Sequence, residues 1–130
     1  MTVNIQNFSR TYDVLFSDTD PMKQISMTVN AKYLTNYLNG FLEEHGFLYE
    51  NVYNCKVFIS GMDIEILEYF DRPKSISIST ENVEVKDDVV ILNLLTKVDS
   101  QLLSKSTLDI KFLDNNGNSH ISSEVRSIFI

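Results

Sequence analysis

The chain has 130 residues, of which 43% are hydrophobic and 22% charged, values typical of one globular domain that would span residues 1–130. Its formal net charge is −7, and its 11 basic residues are scattered singly, which excludes the basic cluster that nucleic-acid binding requires. No apolar run reaches the roughly 18 residues that a membrane span needs.

The cysteine and histidine content limits the chemistry further. Cys55 is the single cysteine and has no second thiol with which to form an internal disulfide, which is typical of a reducing compartment. Residues 1–10 show no basic region followed by an apolar stretch, so we expect a cytoplasmic protein. The two histidines, His45 and His120, do not have metal-ligand spacing with Cys55, and we expect no metal site.

A strand and a loop come first in the chain. Tyr12, Val14 and Phe16 alternate with other residues, which predicts a strand over 11–16. The polar segment 17–21, which ends in Pro21, then predicts a loop.

A long helix follows the loop. From residue 28 the apolar positions 34, 38, 41 and 42 form one stripe at helical spacing. The pattern predicts a helix over 28–45, about 27 Å long at 1.5 Å per residue. Thr28 or Asn30 would cap its start, and Gly46 would take the left-handed conformation at its end.

The rest of the chain alternates in a way that is typical of strands. Apolar residues recur every second position around 58–66, 76–85, 108–112 and 121–129, and the almost continuously apolar run 89–95 predicts a central strand covered on both faces. One-residue slips after Ile66 and between Thr80 and Val83 predict β-bulges, and Gly61 is a further bulge candidate. Short polar turns at 86–88, 99–101 and 114–118 predict antiparallel neighbours.

These elements predict an α+β fold in which one long helix is wrapped by a curved antiparallel sheet of about six strands. Tyr33 and Tyr37 widen the apolar surface of the helix beyond one stripe. A single sheet covers only one side of a helix, so we expect a second copy of the chain to supply another layer.

Several short motifs resemble the 4-hydroxybenzoyl-CoA thioesterase-like family, which has the hotdog fold. The opening segment 14–21, VLFSDTDP, and the segment 30–34, NAKYL, are similar to the family's first strand, its turn and the start of its long helix. The segment 64–69, IEILEY, followed by Pro73, and the segment 112–114, FLD, with Gly117, are similar to its later strands and its last hairpin. The resemblance extends over nearly the whole chain.

The resemblance implies hydrolysis of an acyl-CoA or acyl-carrier thioester by a homodimer or a dimer of dimers, with the CoA thioester as substrate and no cofactor. Asp20 would act as the nucleophile or as the general base toward water. The backbone N–H at Asn30, at the positive end of the helix, would stabilise the oxygen on which negative charge develops. Asp18 would brace the loop.

The resemblance also implies a substrate-binding site at the subunit interface. Its expected lining is mostly apolar, made of Met22, Met27, Tyr33 and Met62. Arg72 and Lys74 flank Pro73 on a turn and would meet the phosphates of CoA.

Two other hypotheses remain open. The link between Asp20 and Asn30 is longer than in the family and contains neither Gly nor His, which supports a catalytically weak acyl-CoA-binding or scaffold protein. A hydratase or dehydratase on the same fold would need a histidine paired with a carboxylate near the helix, and neither His45 nor His120 is well placed for this. Motifs of kinases, dinucleotide-dependent dehydrogenases, serine hydrolases and dithiol enzymes are absent from the sequence.

Overall fold

The computed structural model describes residues 3–47 and 53–130. The described chain contains five strands, two α-helices and two 3₁₀ turns. In chain order these are the turn Ile5–Asn7, β1 (Ser9–Asp13), the turn Phe16–Asp18, α1 (Met27–Glu44), β2 (Lys56–Ile66), β3 (Ser75–Val85), β4 (Val89–Val98), β5 (Gln101–Leu113) and α2 (Ser123–Phe129).

All five strands form one antiparallel sheet in the order β1-β3-β4-β5-β2. Strands β3, β4 and β5 follow one another through short turns, as the sequence predicts. At the β4–β5 turn, Asp99 and Ser100 have φ of 49° and 72°, which suits the twist of a tight hairpin. Strands β1 and β2 lie at the two edges, and β2, with 11 residues, is the longer edge.

The sheet bends at β-bulges, of which the sequence locates only some. The register of β3 against β4 shifts between Thr80 and Asn82, where a slip was predicted. The slip predicted after Ile66 is wrong because β2 ends at that residue, and the bulge of β2 lies instead between Ile59 and Gly61. The bulge role of Gly61 is thereby confirmed.

Helix α1 lies on the concave face of the sheet and begins one residue earlier than predicted. Its cap is Ser26, whose side chain accepts a hydrogen bond from the N–H of Val29 at 3.2 Å, so the predicted caps Thr28 and Asn30 are wrong. Gly46 has φ of 83° just beyond the helix, as expected. The face toward the sheet is fully buried and includes Leu34, Tyr37, Leu38, Phe41 and Leu42.

The predicted last strand is a helix. Ile121, Val125 and Phe129 are four residues apart, a spacing that fits both the strand period of two and one face of an α-helix. Ser122 caps α2 by accepting from the N–H of Val125 at 3.2 Å. The sheet therefore has five strands rather than about six, and the ring of Phe129 packs 5.4 Å from that of Phe41.

The packing of the single chain already covers much of the apolar surface for which a second copy was expected. Tyr37 is fully buried and donates to the carbonyl of Phe8 at 2.6 Å, and Tyr33 is 5% exposed. The outward side chains of β4, such as Ile91 and Leu95, are half-buried on the convex face.

None of the helices within the described ranges is long and apolar enough to cross a bilayer.

Candidate active site

The loop between β1 and α1 is organised around the buried carboxylate of Asp18. Its Oδ2 accepts the phenolic O–H of Tyr33 at 2.5 Å and the N–H of Leu15 at 3.2 Å, and its Oδ1 accepts from Lys32 Nζ at 3.3 Å. The hydrogen bond from Tyr33 is the largest cause that holds the pKa of Asp18 below its ordinary value, although burial opposes it. The predicted bracing role of Asp18 is confirmed by these contacts.

Asp20 lies two residues further on, at a tight turn that returns the chain toward α1. Thr19 bridges to Ile25, and the N–H of Asp20 donates to the carbonyl of Gln24 at 2.8 Å. The Oδ1 of Asp20 accepts the N–H groups of Met22 and Gln24 at 2.9 and 3.1 Å. Its Oδ2 has no hydrogen-bond partner among the residues that the structure describes, so one carboxylate oxygen is held while the other is available.

A surface pocket of ≈330 Å³ contains Asp20. Its walls come from the loop itself and from the turn before β3, and they consist of Phe16, Thr19, Pro21, Lys23 and Arg72. Phe16 and Lys23 were not singled out from the sequence. Lys23 follows the candidate carboxylate of Asp20 by three residues, and this spacing is the signal that could have pointed to it as a site residue.

The start of α1 offers hydrogen-bond donors, but not at the expected position. The N–H of Asn30 donates to the carbonyl of Ser26 at 2.9 Å inside the helix, so its predicted role as the donor to a substrate oxygen is wrong. The first N–H groups of a helix have no partner within it. No hydrogen bond among the described residues uses the N–H of Met27 or Thr28, so these two N–H groups are available to donate. The buried side chain of Asn30 donates to the carbonyls of Ile25 and Ser26 and ties the loop to the helix.

An apolar groove of ≈510 Å³ runs between the start of α1 and the edge strand β2. It is lined by Met27, Thr28, Ala31, Met62, Asp63 and Ile64. The structure thus brings together Met27 and Met62, which the sequence placed in one substrate site. Tyr33 does not line this groove, because its ring is buried and its hydroxyl donates to Asp18. The substrate-binding role predicted for Tyr33 is therefore not supported by its position.

The other three predicted binding residues lie around the Asp20 turn. Met22 is 73% exposed, and its carbonyl accepts the O–H of Tyr69 at 2.9 Å. Arg72 shares the pocket of Asp20 and also borders an adjoining pocket of ≈570 Å³. Lys74 lines only this second pocket, together with Phe70, Asp71, Pro73, Ser75, Val98 and Asp99.

Comparison with known proteins identifies the fold. No family model matches the sequence, and no curated protein matches it. The fold is nevertheless similar to a thioesterase from Thermus thermophilus solved with coenzyme A and Zn, with a TM-score of 0.79, 14% identity, and coverage of 93% of this chain and 90% of that one. It is equally similar to a gentisyl-coenzyme A thioesterase, with a TM-score of 0.79, 19% identity and coverage of 95% and 100%. The probable thioesterase YbaW from Escherichia coli gives a TM-score of 0.79, 12% identity and coverage of 92% and 94%. The chain has the hotdog fold.

The hotdog fold accounts for the position of both pockets. The curved sheet covers one face of α1, and the start of the helix and the edge of β2 remain open to ligands. The groove of Met27 and Met62 lies where the first turn of the helix meets the edge strand β2, and the pocket of Asp20 lies on the loop that leads into the same turn. The resemblance found in the sequence is thus matched by the structure at the level of the fold.

The remaining reactive side chains lie elsewhere on the hotdog fold. The Nε2 of His45 is 2.9 Å from the carbonyl of Val3 at the far end of α1, and His120 is exposed after the last hairpin. Neither lines the pocket of Asp20. Burial raises the pKa of the Cys55 thiol above its ordinary value. No group of three or more acidic, histidine or cysteine side chains within 3–47 and 53–130 is arranged to hold a metal ion.

Proposed function

We propose that this protein hydrolyses an acyl-CoA thioester. The observation that carries the proposal is the free Oδ2 of Asp20, in a pocket on the loop that leads directly into the first turn of α1. A carboxylate close to a thioester carbonyl provides a nucleophile or a general base. The solved thioesterases with the same fold support this class of reaction over other reactions of a carboxylate.

The chemistry needs two contributions from the chain. The carboxylate of Asp20 either attacks the carbonyl carbon, which forms a mixed anhydride that water then hydrolyses, or takes a proton from the water that attacks the carbonyl directly. In both routes the C–S bond breaks, CoA leaves as the thiolate, and the thiolate takes up the proton that the water gives up. The negative charge that develops on the carbonyl oxygen needs donors, and the free N–H groups of Met27 and Thr28 at the positive end of the helix suit that task. The hydrogen bonds from Met22 and Gln24 to Oδ1 restrict the rotation of Asp20, so that Oδ2 is presented in one orientation.

The groove between Met27 and Met62 is suited to the acyl group. It is lined mainly by apolar side chains and has a volume within the usual range of ligand sites. Methionine side chains are flexible and polarisable, so they adapt to ligands of different shape. The acyl group would therefore be recognised by its apolar surface.

The position of this groove on an edge strand supports a second copy of the chain as a wall of the site. The groove includes Met62, Asp63 and Ile64 of β2, whose outer edge has no neighbour in the sheet that residues 3–47 and 53–130 form. An unpaired strand edge is a surface that other chains can cover. We expect a homodimer or a dimer of dimers, acting on free acyl-CoA or on an acyl carrier in the cytoplasm, with no retained cofactor.

A second candidate function is binding of acyl-CoA without turnover, or a scaffold role. One observation favours it: the Oδ1 of Asp20 closes a turn by accepting two backbone N–H groups, a common role for aspartate in loops. The two candidates differ in turnover and not in the fold. The hydratase hypothesis has no such support, because both histidines lie away from Asp20.

The proposal is tested by a hydrolysis screen over aromatic, short and long acyl-CoA substrates with the wild type and Asp20→Asn. The amide oxygen of Asn still accepts from the N–H groups of Met22 and Gln24, so the loop keeps its hydrogen bonds while the carboxylate is lost. We expect kcat to fall at least about a hundredfold, equivalent to about 2.7 kcal/mol of barrier. Thermal unfolding, measured in parallel, serves as the control and stays unchanged.

Equal rates for the two proteins would remove Asp20 from the mechanism. Tight binding of acyl-CoA without turnover over the whole panel would favour the second candidate.

A further inference from the structure

Two serine hydroxyls are buried without a partner on the inner face of β5. Ser104 is fully buried, and Ser106 is 4% exposed. Neither Oγ atom has a hydrogen-bond partner among the residues that the structure describes. A buried hydroxyl that makes no hydrogen bond destabilises a protein, and native proteins contain few such groups. Two of them on one strand therefore point to a function other than packing.

Other polar side chains in this part of the molecule have partners. The buried carboxylate of Asp18 accepts three hydrogen bonds, and the buried side chain of Asn30 donates two. The hydroxyl of Thr107, which follows Ser106 on the outer face of β5, donates to the Oδ1 of Asn93 at 3.1 Å. The lack of a partner is thus particular to the inner face of β5 and does not extend to its surroundings.

The pairing of the sheet places both hydroxyls beside the apolar groove. Ser106 lies directly opposite Ile64 of β2, and Ser104 lies opposite Ile66. Opposite residues of an antiparallel pair point to the same face, with their Cβ atoms about 4.5–5.5 Å apart. Ile64 lines the groove of ≈510 Å³ between α1 and β2. The hydroxyl of Ser106 is therefore one side chain deeper than the wall of the groove, and that of Ser104 comes next along the same face.

The wall in front of the serines is made of small or adaptable side chains. The helix contributes Ala31, whose side chain is a single methyl group, and Met27, while the strand contributes Met62. Methionine side chains are flexible and fit ligands of different shape. An acyl chain that enters the groove is thus directed toward Ser106 by side chains that can adapt to it.

We infer that Ser104 and Ser106 bind a hydroxyl group at the far end of a straight acyl chain, so that the enzyme prefers hydroxyacyl thioesters to plain ones. This inference rests on the proposed function and names the substrate class. A serine hydroxyl both donates and accepts, so it can bond a substrate hydroxyl in either direction. Because Ser106 is only 4% exposed, the opening that leads to it is narrow and admits a methylene chain more easily than a ring.

The two serines also suit more than one chain length. They are two residues apart on one strand, which separates them by about 7 Å along the acyl path. A shorter hydroxyacyl chain would reach Ser106 and a longer one would reach Ser104. A hydrocarbon chain in the same place leaves both hydroxyls unpaired, and sites that hydrogen-bond a substrate hydroxyl discriminate strongly against analogues without it.

The test compares thioesters that differ only in a terminal hydroxyl. Straight acyl-CoAs of several lengths and their ω-hydroxy derivatives are assayed with the wild type and with the double variant Ser104→Ala/Ser106→Ala. The variant should be at least as stable as the wild type in thermal unfolding, because it loses only unpaired buried hydroxyls. Thr107→Val is the matched control, since it removes a hydroxyl from the neighbouring residue on the other face of β5.

We expect the wild type to cleave the ω-hydroxyacyl-CoA of the fitting length with a kcat/KM at least about tenfold above that of the plain acyl-CoA. The double variant should lose this preference, and Thr107→Val should keep it. Equal cleavage of the two thioesters by the wild type, or a preference that survives in the double variant, would overturn the inference while the hydrolase proposal stands.

Calorimetric titration separates the two proposals. If the wild type cleaves none of the thioesters, the hydrolase proposal fails, and the affinities of the intact thioesters then test the serines directly. Tighter binding of an ω-hydroxyacyl-CoA by the wild type, but not by the double variant, would still support the hydroxyl site, whereas equal affinities for the plain and hydroxylated thioesters would refute it.

Discussion

Asp18 and Asp20 are two residues apart in one loop, yet the protein places their carboxylates in opposite environments. The carboxylate of Asp18 is 6% exposed and accepts hydrogen bonds from Leu15, Lys32 and Tyr33. That of Asp20 borders a surface pocket and keeps one oxygen without a partner among the described residues. A buried carboxylate must be fully hydrogen-bonded to be tolerated, whereas a reactive one must keep an oxygen free.

The difference shows how a loop can present a reactive group. The contacts of Asp18 fix the loop to α1 through Lys32 and Tyr33, and the turn then positions Asp20 with little freedom left. The first carboxylate should therefore govern stability, and the second should govern activity. Substitutions at the two positions and at the partners of Asp18 test that separation.

The largest effect on stability is expected for Asp18→Asn. The amide cannot accept from all three donors, and hydrogen bonds to a buried charge contribute more than neutral ones. We expect the free energy of unfolding to fall by about 2–3 kcal/mol at pH 7, in the range of a lost charged hydrogen bond. Urea denaturation measures it, and Asp20→Asn serves as the matched control, with a change within about 0.5 kcal/mol as for most surface positions.

The same substitution has a defined pH dependence. Because the hydrogen bond from Tyr33 holds the folded-state pKa of Asp18 below its ordinary value, the carboxylate stabilises the fold above the unfolded-state pKa of about 3.9. This contribution is lost as the pH falls through the folded-state pKa. The difference in unfolding free energy between the wild type and Asp18→Asn should shrink on going from pH 7 to below about 4. A difference that stays constant over this range would contradict the assignment.

Tyr33→Phe should have an intermediate effect. It removes the O–H that Asp18 accepts at 2.5 Å but leaves the other two donors in place. We expect a loss of about 1–2 kcal/mol of stability, the penalty of an under-satisfied buried group. Burial raises the pKa of both Tyr33 and Tyr37 to about 12, and the hydrogen bond to Asp18 adds to this shift at Tyr33, so spectrophotometric titration of the wild type should show two tyrosines that ionise late. If the variant is as stable as the wild type, the contact contributes nothing to the fold.

The smallest effect is expected for Lys32→Met. The side chain of Lys32 is 53% exposed, and its ion pair with Asp18 at 3.3 Å is screened by water. Exposed ion pairs contribute about 0–1 kcal/mol, so the loss should stay within that range and should diminish in high salt. Chemical denaturation at low and high ionic strength checks both statements. A loss as large as that of Asp18→Asn would mean that charge, and not hydrogen bonding, dominates the network.

Most of the fold could be predicted because its signals are local. The stripe of apolar residues defined α1 to within one residue at each end, and the polar turns at 86–88 and 99–101 are the observed hairpins. The prediction of the last element as a strand was wrong because a spacing of four residues does not distinguish a helix from a strand. Ser122, the cap of α2, was the signal that could have settled it.

The site was less predictable because its roles depend on contacts between distant residues. The helix begins at Met27, so the N–H of Asn30 is already used, and Ser26 was the cap that would have revealed the shift. The prediction that Tyr33 lines the substrate site is not supported, because its hydroxyl donates to Asp18. The periodicity of the sequence cannot show such a contact. The pairing of Met27 with Met62 is a prediction that the geometry of the groove matches.

The bulge in β2 affects the shape of the core but not which side chains the core contains. Val57 and Ile59 face the helix before it, and Met62 and Ile64 face the helix after it, because Ser60 is an extra residue with no partner in the β5 register. A chain that lacked Ser60 would keep every side chain on its present face while the strand lost its bend. A one-residue deletion at this point would therefore reshape the groove beside α1 without changing a single buried group. The loss or gain of this one residue would thus change the width of the groove, and the ligands that the groove accepts, from one related protein to another.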